Sequence, residues 1–358
     1  MRFLTHGERE TAYLEDKRPN TDCVIVVNGE TIVIHKNLFY PLSHLGSKIR
    51  AGHGRLWVDF LCINQSDLNE RSSQVRLMKD IFGNASQVLA WLGAPPEDHL
   101  AKDGVELIHN ISTWVTAYNI ADSEKWVGVA HKYEIQDEIA VHLPCYPDDK
   151  NRPAWRSPEW ITAREFWQRT WIYQEVASEL TVFHVGRYSF TAGQLDDTEV
   201  VLGVYDRRTD FEYRSTFSSI SPLSNARETC RGITDDGDFW GSQRSQLLVL
   251  LRTSRTSFGT DPRDKVFAAR PHAVDMSSDD VVVDYRKPLL DVYVDVARYF
   301  LATGGIGLEI LGDVRTDQES IPCSCKDDDA LPSWLPNWDI DPQVEPLNNV
   351  QGKRCSTD

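Results

Sequence analysis

At 358 residues, with 54 acidic against 38 basic side chains and a formal charge of −16, the chain is long enough for a substantial core and carries the wrong sign for non-specific nucleic-acid binding. Its seven scattered cysteines, an odd number, fit reduced thiols rather than a disulfide framework. The N-terminus is polar, with no signal-peptide core, and no apolar stretch approaches the roughly 20 residues that span a bilayer, so a soluble, intracellular, cytoplasmic protein without membrane contact is expected.

In chain order, the first clear signal is Val24 to Ile34, two β-branched runs around Asn28-Gly29, which predicts a hairpin with a two-residue turn. Asn37 reads as the N-cap of a helix carrying Leu38, Leu42, Leu45 and Ile49 on one face. The apolar run Leu56–Ile63 predicts a buried strand, because it lacks the alternation of a half-solvated one. Asn64, Gln65, Ser66 and Asp67 crowd its end. Leu68, Val75, Met78, Ile81 and Phe82 then recur at helical spacing, and Val88–Leu92 predicts a second strand. Strand, helix, strand is a βαβ unit. The expected class is therefore α/β, a mostly parallel sheet flanked by helices.

A helix follows over Leu100–Tyr118, with Leu107, Ile108, Ile111, Trp114 and Val115 inward. Residues 122–158 read as an acidic, proline-punctuated excursion, Pro158–Ala177 as a helix, and Leu180–Val185 as a strand closed by Gly186. The first domain is placed at 1–193 and a mainly helical C-terminal region at 194–358. In the latter, 206–242 reads as loops, Gln246–Arg255 and Asp261–Ala269 as helices, and Val281–Tyr285 as a short strand. Leu289–Ala302 is expected to be an amphipathic helix with Leu290, Val294, Ala297 and Leu301 inward, and Leu331-Pro-Ser-Trp334 an extended segment packing its tryptophans.

Six residues are candidates for a site. Glu175 closes Arg169-Thr-Trp-Ile-Tyr-Gln-Glu, and Trp171 lies four residues before it, on the same face of the predicted helix. A carboxylate beside an indole loses solvation, which raises its pKa and suits proton transfer. The structural alternative pairs Glu175 with Arg169 or a backbone amide. Asp59, inside an apolar run, needs a partner, since an unpaired buried charge costs several kcal/mol. Arg169 or a loop amide fits that need, with a structural tie favoured over a ribose-binding role. Asn64 and Gln65 lie at the predicted strand mouth, where parallel sheets bind ligands, and a site role and a structural one are equally open to them.

Other chemistries find little support. Cys62 sits in an apolar run as a small hydrophobe, Cys323-Ser-Cys325 is too tight for a zinc pair, and His131 and His142 share no ligand spacing. Without GxGxxG or GxxxxGK[ST], no cofactor is expected. Trp57, Trp91, Trp167, Trp171, Trp334 and Trp338 read as core aromatics.

The wording of several segments adds a resemblance. Trp57-Val-Asp-Phe-Leu-Cys-Ile-Asn-Gln65, then Glu70-Arg71, Gln74-Val75, Met78, Ile81-Phe82, Asn84-Ala85 and Trp91-Leu-Gly93 resemble the central motif of the heterokaryon incompatibility (HET) domain family of filamentous fungi. Phe166–Glu175 resembles that family's Arg-x-Trp-x-x-Gln-Glu block. Thr260–Phe267, Asp284-Tyr285 and Leu331–Trp338 are similar to segments that commonly follow the domain. The resemblance implies a module of fungal non-self recognition that associates with itself or protein partners and triggers regulated cell death. It also implies a remote likeness to the Toll/interleukin-1 receptor (TIR) domain, whose matching glutamate cleaves NAD. Glu175 would then be a glycohydrolase residue and NAD a substrate. The family's usual first strand, resembling Ala-Leu-Ser-Tyr-x-Trp-Gly, has no counterpart here, so an incomplete gene model or a degenerate, inactive copy is also expected as an alternative.

Overall fold

The β-branched runs Asp22–Val27 (β2) and Glu30–His35 (β3) pair antiparallel, with Val27 opposite Glu30, so two residues make the turn, as predicted. Gly29 holds φ at +81°, a conformation that a side chain would strain. The short strand Leu14–Glu15 (β1) adds to β2, giving a sheet of order β1-β2-β3. The computed structural model describes residues 14–15, 22–27, 29–51, 55–117, 157, 160–206, 246–273, 276–277, 279–302, 305–314, 331–332 and 334–339. Most of the excursion expected over 122–158 and of the loops expected over 206–242 lies outside these, as do His131, His142, Cys323 and Cys325. Two compact units alternate along the chain: 1–70, 86–166 and 179–217 in the first, 71–85, 167–178 and 218–358 in the second.

In the first unit the helix Lys36–Ala51 begins one residue before its expected cap, Asn37. Leu38, Phe39 and Leu42 close over Cys23, Ile25 and Ile34. The run Leu56–Ile63 is not the strand its composition predicts. Val58 is extended, but Asp59–Cys62 forms a single helical turn in which Leu61 and Cys62 return their N–H groups to the Val58 carbonyl at 3.1 and 2.8 Å. Those donors are spent locally, so no ladder forms there. The apolar content is buried by Cys62 and Ile63, while Phe60 stays 43% exposed.

The second sheet has order β4-β5-β6: Val88–Gly93 (β4), Thr181–Val185 (β5) and Tyr188–Thr191 (β6). β4 and β5 run parallel, and β5 and β6 antiparallel. The class is thus α/β, but among the described strands this is the one parallel pair. β6 has no counterpart in the sequence expectations. Helix Asp98–Ala117 buries Leu107, Ile108, Ile111, Trp114 and Val115, the five residues expected inward. Gly104 sits where a Cβ would lie 2.7 Å from Ile161 Cδ1 and 3.0 Å from the Ser157 carbonyl carbon, so the close approach of these two residues explains a glycine inside this helix.

The helix expected over Pro158–Ala177 is broken into a 3₁₀ turn, Glu165–Gln168, and a helix, Ile172–Ala177. Phe258 donates its N–H to the Gln168 carbonyl (2.5 Å), and Thr170 donates to the Phe258 carbonyl (3.0 Å). These groups are diverted from a helical ladder into a parallel bridge centred on Arg169 and Phe258. Val281–Tyr285, expected as a short strand, forms none: it runs from a bend at Val281 to a turn at Tyr285. Side chains serve its backbone instead: Arg270 and Arg76 donate to the carbonyls of Val281 and Val283, and Ser72 Oγ accepts the Tyr285 N–H.

Helix Leu289–Ala302 buries Val292, Tyr293, Val296, Ala297 and Phe300, a stripe rotated from the expected one. Tyr293 decides the rotation, because its large ring occupies the core while Leu301 stays 47% exposed. Trp338 is fully buried beneath the Arg255 guanidinium, 4.8 Å from the ring centroid, whereas Trp334 is 46% exposed rather than packed. Arg252 and Arg255 converge on the buried Asp313 at 2.8 and 3.5 Å. No helix of the described residues is long and apolar enough to cross a membrane.

Candidate functional site

The segment Asp261-Pro-Arg-Asp-Lys265 leads into the helix Asp264–Ala269, and Asp261 closes the turn before it. Asp261 Oδ1 accepts the Arg263 N–H at 3.1 Å, and its carbonyl accepts the Asp264 N–H at 2.9 Å. Pro262 then adds a fixed φ where no donor is needed. Asp264 and Lys265, the first two residues of the helix, turn into the interior, where they are 4% and 2% exposed.

Asp264 is the centre of a polar cluster. Its Oδ1 accepts the Tyr285 hydroxyl at 2.6 Å and Arg71 Nη2 at 3.3 Å, and the Trp171 side chain lies near enough to hold its pKa down. Arg71 lies 3.7 Å from Asp261 and stacks over the Tyr285 ring at 3.7 Å. Arg263 grips Asp261 through Nε and Nη2 at 2.9 and 2.8 Å, while Nη1 reaches the carbonyls of Tyr285 and Lys287. Two carboxylates thus face two guanidiniums.

Burial raises the Asp264 pKa above its ordinary value, against the opposing influence of Tyr285, Arg71 and Trp171. Burial also pushes the Tyr285 phenol up, with the Asp264 charge adding to it. Tyr285 therefore stays a neutral donor at physiological pH. Its proton is tied to Asp264, which makes the pair a lock rather than a source of nucleophile.

Lys265 completes the picture. Its Nζ donates to the carbonyls of Ser254 (2.5 Å), Arg255 (3.3 Å) and Ser257, at the C-terminal end of helix Gln246–Ser254. A helix end leaves such carbonyls without intrahelical donors and carries partial negative charge, so an ammonium suits it.

Of the residues singled out from sequence, Trp171 joins this cluster. It precedes the helix Ile172–Ala177, with φ −83° and ψ 3°, instead of sharing a helical face with Glu175. Arg169 and Glu175 are brought together, Nη1 to Oε1 at 3.3 Å, with side-chain exposures of 48% and 13%. The other three belong to the first unit. Asp59 is exposed and its carboxylate takes the Phe60 N–H at 2.7 Å, so it is not the buried charge expected of a strand interior. Asn64 Oδ1 accepts the Ser66 N–H, and Asn64 N–H donates to Glu70. Asp67 caps the helix Leu68–Gly83 by accepting from Asn69 and Glu70. Gln65 is exposed within the same cap.

Asp264, Tyr285, Arg71, Asp261, Arg263 and Lys265 were not legible as site residues. A signal existed, since four charges within five residues head the apolar run Val266–Ala269, and a buried helix carries such charges only with partners. Among the described residues, no three His, Cys, Asp or Glu side chains gather as a metal ion would require.

Comparison with known proteins adds the following. Residues 6–175 match the family model described as heterokaryon incompatibility protein (HET). Heterokaryon incompatibility protein 6, OR allele, of Neurospora crassa is 28% identical over 320 residues, covering 79% of this chain and 44% of the relative. The chain therefore spans less than half of that relative. No solved structure matches.

Proposed function

We propose, from the premise that this chain carries a heterokaryon incompatibility (HET) domain over residues 6–175 and belongs to that family, that it acts as an interaction and signalling module of fungal non-self recognition. In this reading it associates with itself or with protein partners in the cytoplasm and sets off regulated cell death when engaged. Nucleic acid, membrane and metal play no part in it. The supporting observation is the similarity to heterokaryon incompatibility protein 6, which covers 79% of this chain and so extends beyond the matched domain. The chemistry of the polar cluster agrees, because its charges are spent on one another and on backbone carbonyls, which suits a scaffold.

A second reading rests on Glu175, whose carboxylate keeps some solvent access beside Arg169. In it the domain has a TIR-like parallel sheet and hydrolyses NAD, with Glu175 stabilising the developing oxocarbenium ion. An inactive, degenerate copy is the third.

One experiment separates them: purified chain with NAD, following nicotinamide release, beside inducible expression in a fungal host, each with Glu175→Gln. Toxicity that survives the substitution, without nicotinamide release, supports the signalling reading. Release lost in Glu175→Gln supports the enzyme. Neither toxicity nor release supports the inactive copy.

A further inference from the structure

The second unit gathers positive charge at one place, in a chain whose formal charge is −16. Arg76 and Lys79 stand three residues apart on helix Leu68–Gly83 and so share a face. Arg76 donates to the Val283 carbonyl through Nε and Nη2 at 3.1 and 2.7 Å. Arg270 reaches the same segment two residues earlier, with Nε donating to the Val281 carbonyl at 3.1 Å and Nη2 to the Ser277 carbonyl at 3.0 Å. Two residues of chain span at most about 7 Å, so the two guanidiniums are neighbours. Burial lowers the Arg270 pKa, and the Arg76 charge lowers it further, against Asp280 and Asp279. His272 lies in the same turn as Arg270, and Lys79 is the charge that joins burial in lowering its pKa. Arg76, Lys79 and Arg270 thus lie within reach of one another's fields. Among the described residues none of the three forms an ion pair, whereas Arg71, Arg252, Arg263 and Arg286 of the same unit each hold a carboxylate. Carbonyls fix the two guanidiniums but cancel no charge. Of the two carboxylates that act on Arg270, that of Asp280 is turned to the Ser277 N–H at 2.7 Å.

We propose that Arg76, Lys79 and Arg270 form a binding site for a soluble oligophosphate. Like charges held together oppose folding until an anion joins them, and one carboxylate would leave two of the three uncompensated. The Nη1 groups of both arginines make no hydrogen bond among the described residues, so each held guanidinium keeps donors for phosphate oxygens. Planar guanidinium forks match such oxygens, and the Lys79 ammonium adds a point charge beside them. The cluster is compact rather than drawn out into a stripe, which suits a small, multiply charged anion better than an extended acidic peptide. The negative charge of the rest of the chain is no obstacle, since at physiological salt it is screened beyond about 8 Å. This site lies apart from Glu175 and holds whichever way the HET domain acts.

The test is isothermal titration of the full chain with inorganic pyrophosphate at physiological salt, with thermal melting as the check on folding. Wild type binds about one equivalent with a Kd below about 1 mM, and its melting midpoint rises as the site fills. Lys79→Gln removes a charge that makes no hydrogen bond among the described residues, so the ligand-free midpoint holds while the Kd rises about tenfold. Arg76→Lys keeps the charge, loses the fork and weakens binding by about threefold or more. Arg298→Gln, at an exposed arginine paired with Asp295, leaves the Kd unchanged. ADP in place of pyrophosphate distinguishes the sources: an equal Kd assigns the site to the phosphates alone, and a tighter one to a nucleotide. A wild type without saturable binding at about ten times the expected Kd overturns the proposal. So does Lys79→Gln binding as wild type does, or Arg298→Gln weakening binding as much as Lys79→Gln. Hexa-aspartate binding more tightly than pyrophosphate overturns the phosphate assignment in favour of an acidic peptide.

Discussion

Replacing Lys265 with Met keeps the aliphatic stem and deletes the ammonium that closes helix Gln246–Ser254. The carbonyls of Ser254, Arg255 and Ser257 then lose a shared, charge-assisted donor in a site where Lys265 is 2% exposed. An unsatisfied buried polar group costs about 1–3 kcal/mol. The Ser254 carbonyl keeps the Ser257 N–H and hydroxyl, so the loss falls on the carbonyls of Arg255 and Ser257 and, set against the desolvation that the ammonium no longer suffers, should be about 2–4 kcal/mol. For a chain of this size that lowers Tm by on the order of 10 °C. Urea unfolding followed by tryptophan fluorescence reads the change, since Trp338 is fully buried in the same unit. Lys287→Met is the control: its pair with Asp295 is 2.7 Å long but 36% and 21% exposed, and its removal should cost less than about 1 kcal/mol. If Lys265→Met unfolds within about 1 kcal/mol of wild type, the carbonyl cradle does not hold this unit together and the reasoning fails.

Tyr285→Phe removes the hydroxyl that serves Asp264 at 2.6 Å and should cost about 1.5–3 kcal/mol in the same urea assay, with no loss expected if the bond is absent. His272 is 3% exposed, and burial, with Lys79 adding, lowers its pKa to about 4 from an ordinary 6.5. Its unfolded form thus binds the proton first, so its contribution is intact above pH 6.5 and is lost as pH falls toward 4. That amounts to about 3 kcal/mol at one pKa unit per 1.36 kcal/mol, and His272→Phe should lack this dependence when unfolding free energies at pH 4.5 and 7.5 are compared. Gly104→Ala should destabilise the first unit by about 1–3 kcal/mol, seen as a lower urea midpoint, because the added methyl meets Ile161 and backbone at Ser157.

Local signals were legible in the sequence and diverted backbone was not. The β2–β3 hairpin and helix Asp98–Ala117 follow directly from turn chemistry and periodicity, and both stand where expected. Leu56–Ile63 misled because an apolar run does not say where its N–H groups go, and here Val58 takes them back. The break before Ile172 and the unladdered Val281–Tyr285 share one cause: partners more than seventy residues away (Phe258 for Thr170, Ser72 for Tyr285) claim the backbone. Arg169 was one of two partners that the sequence allowed Glu175, and it is the one that Glu175 takes. The Asp264 cluster was not, since Arg71, Trp171 and Tyr285 converge from three distant stretches of chain.

The most direct test of the signalling account is inducible expression of the full chain and its Glu175→Gln variant in a fungal host, scored by viability at matched protein levels. Both should kill, because the account makes Glu175 a partner of Arg169 rather than a reactive group. A wild type that kills beside a folded variant that does not, or a wild type that never kills, would contradict it.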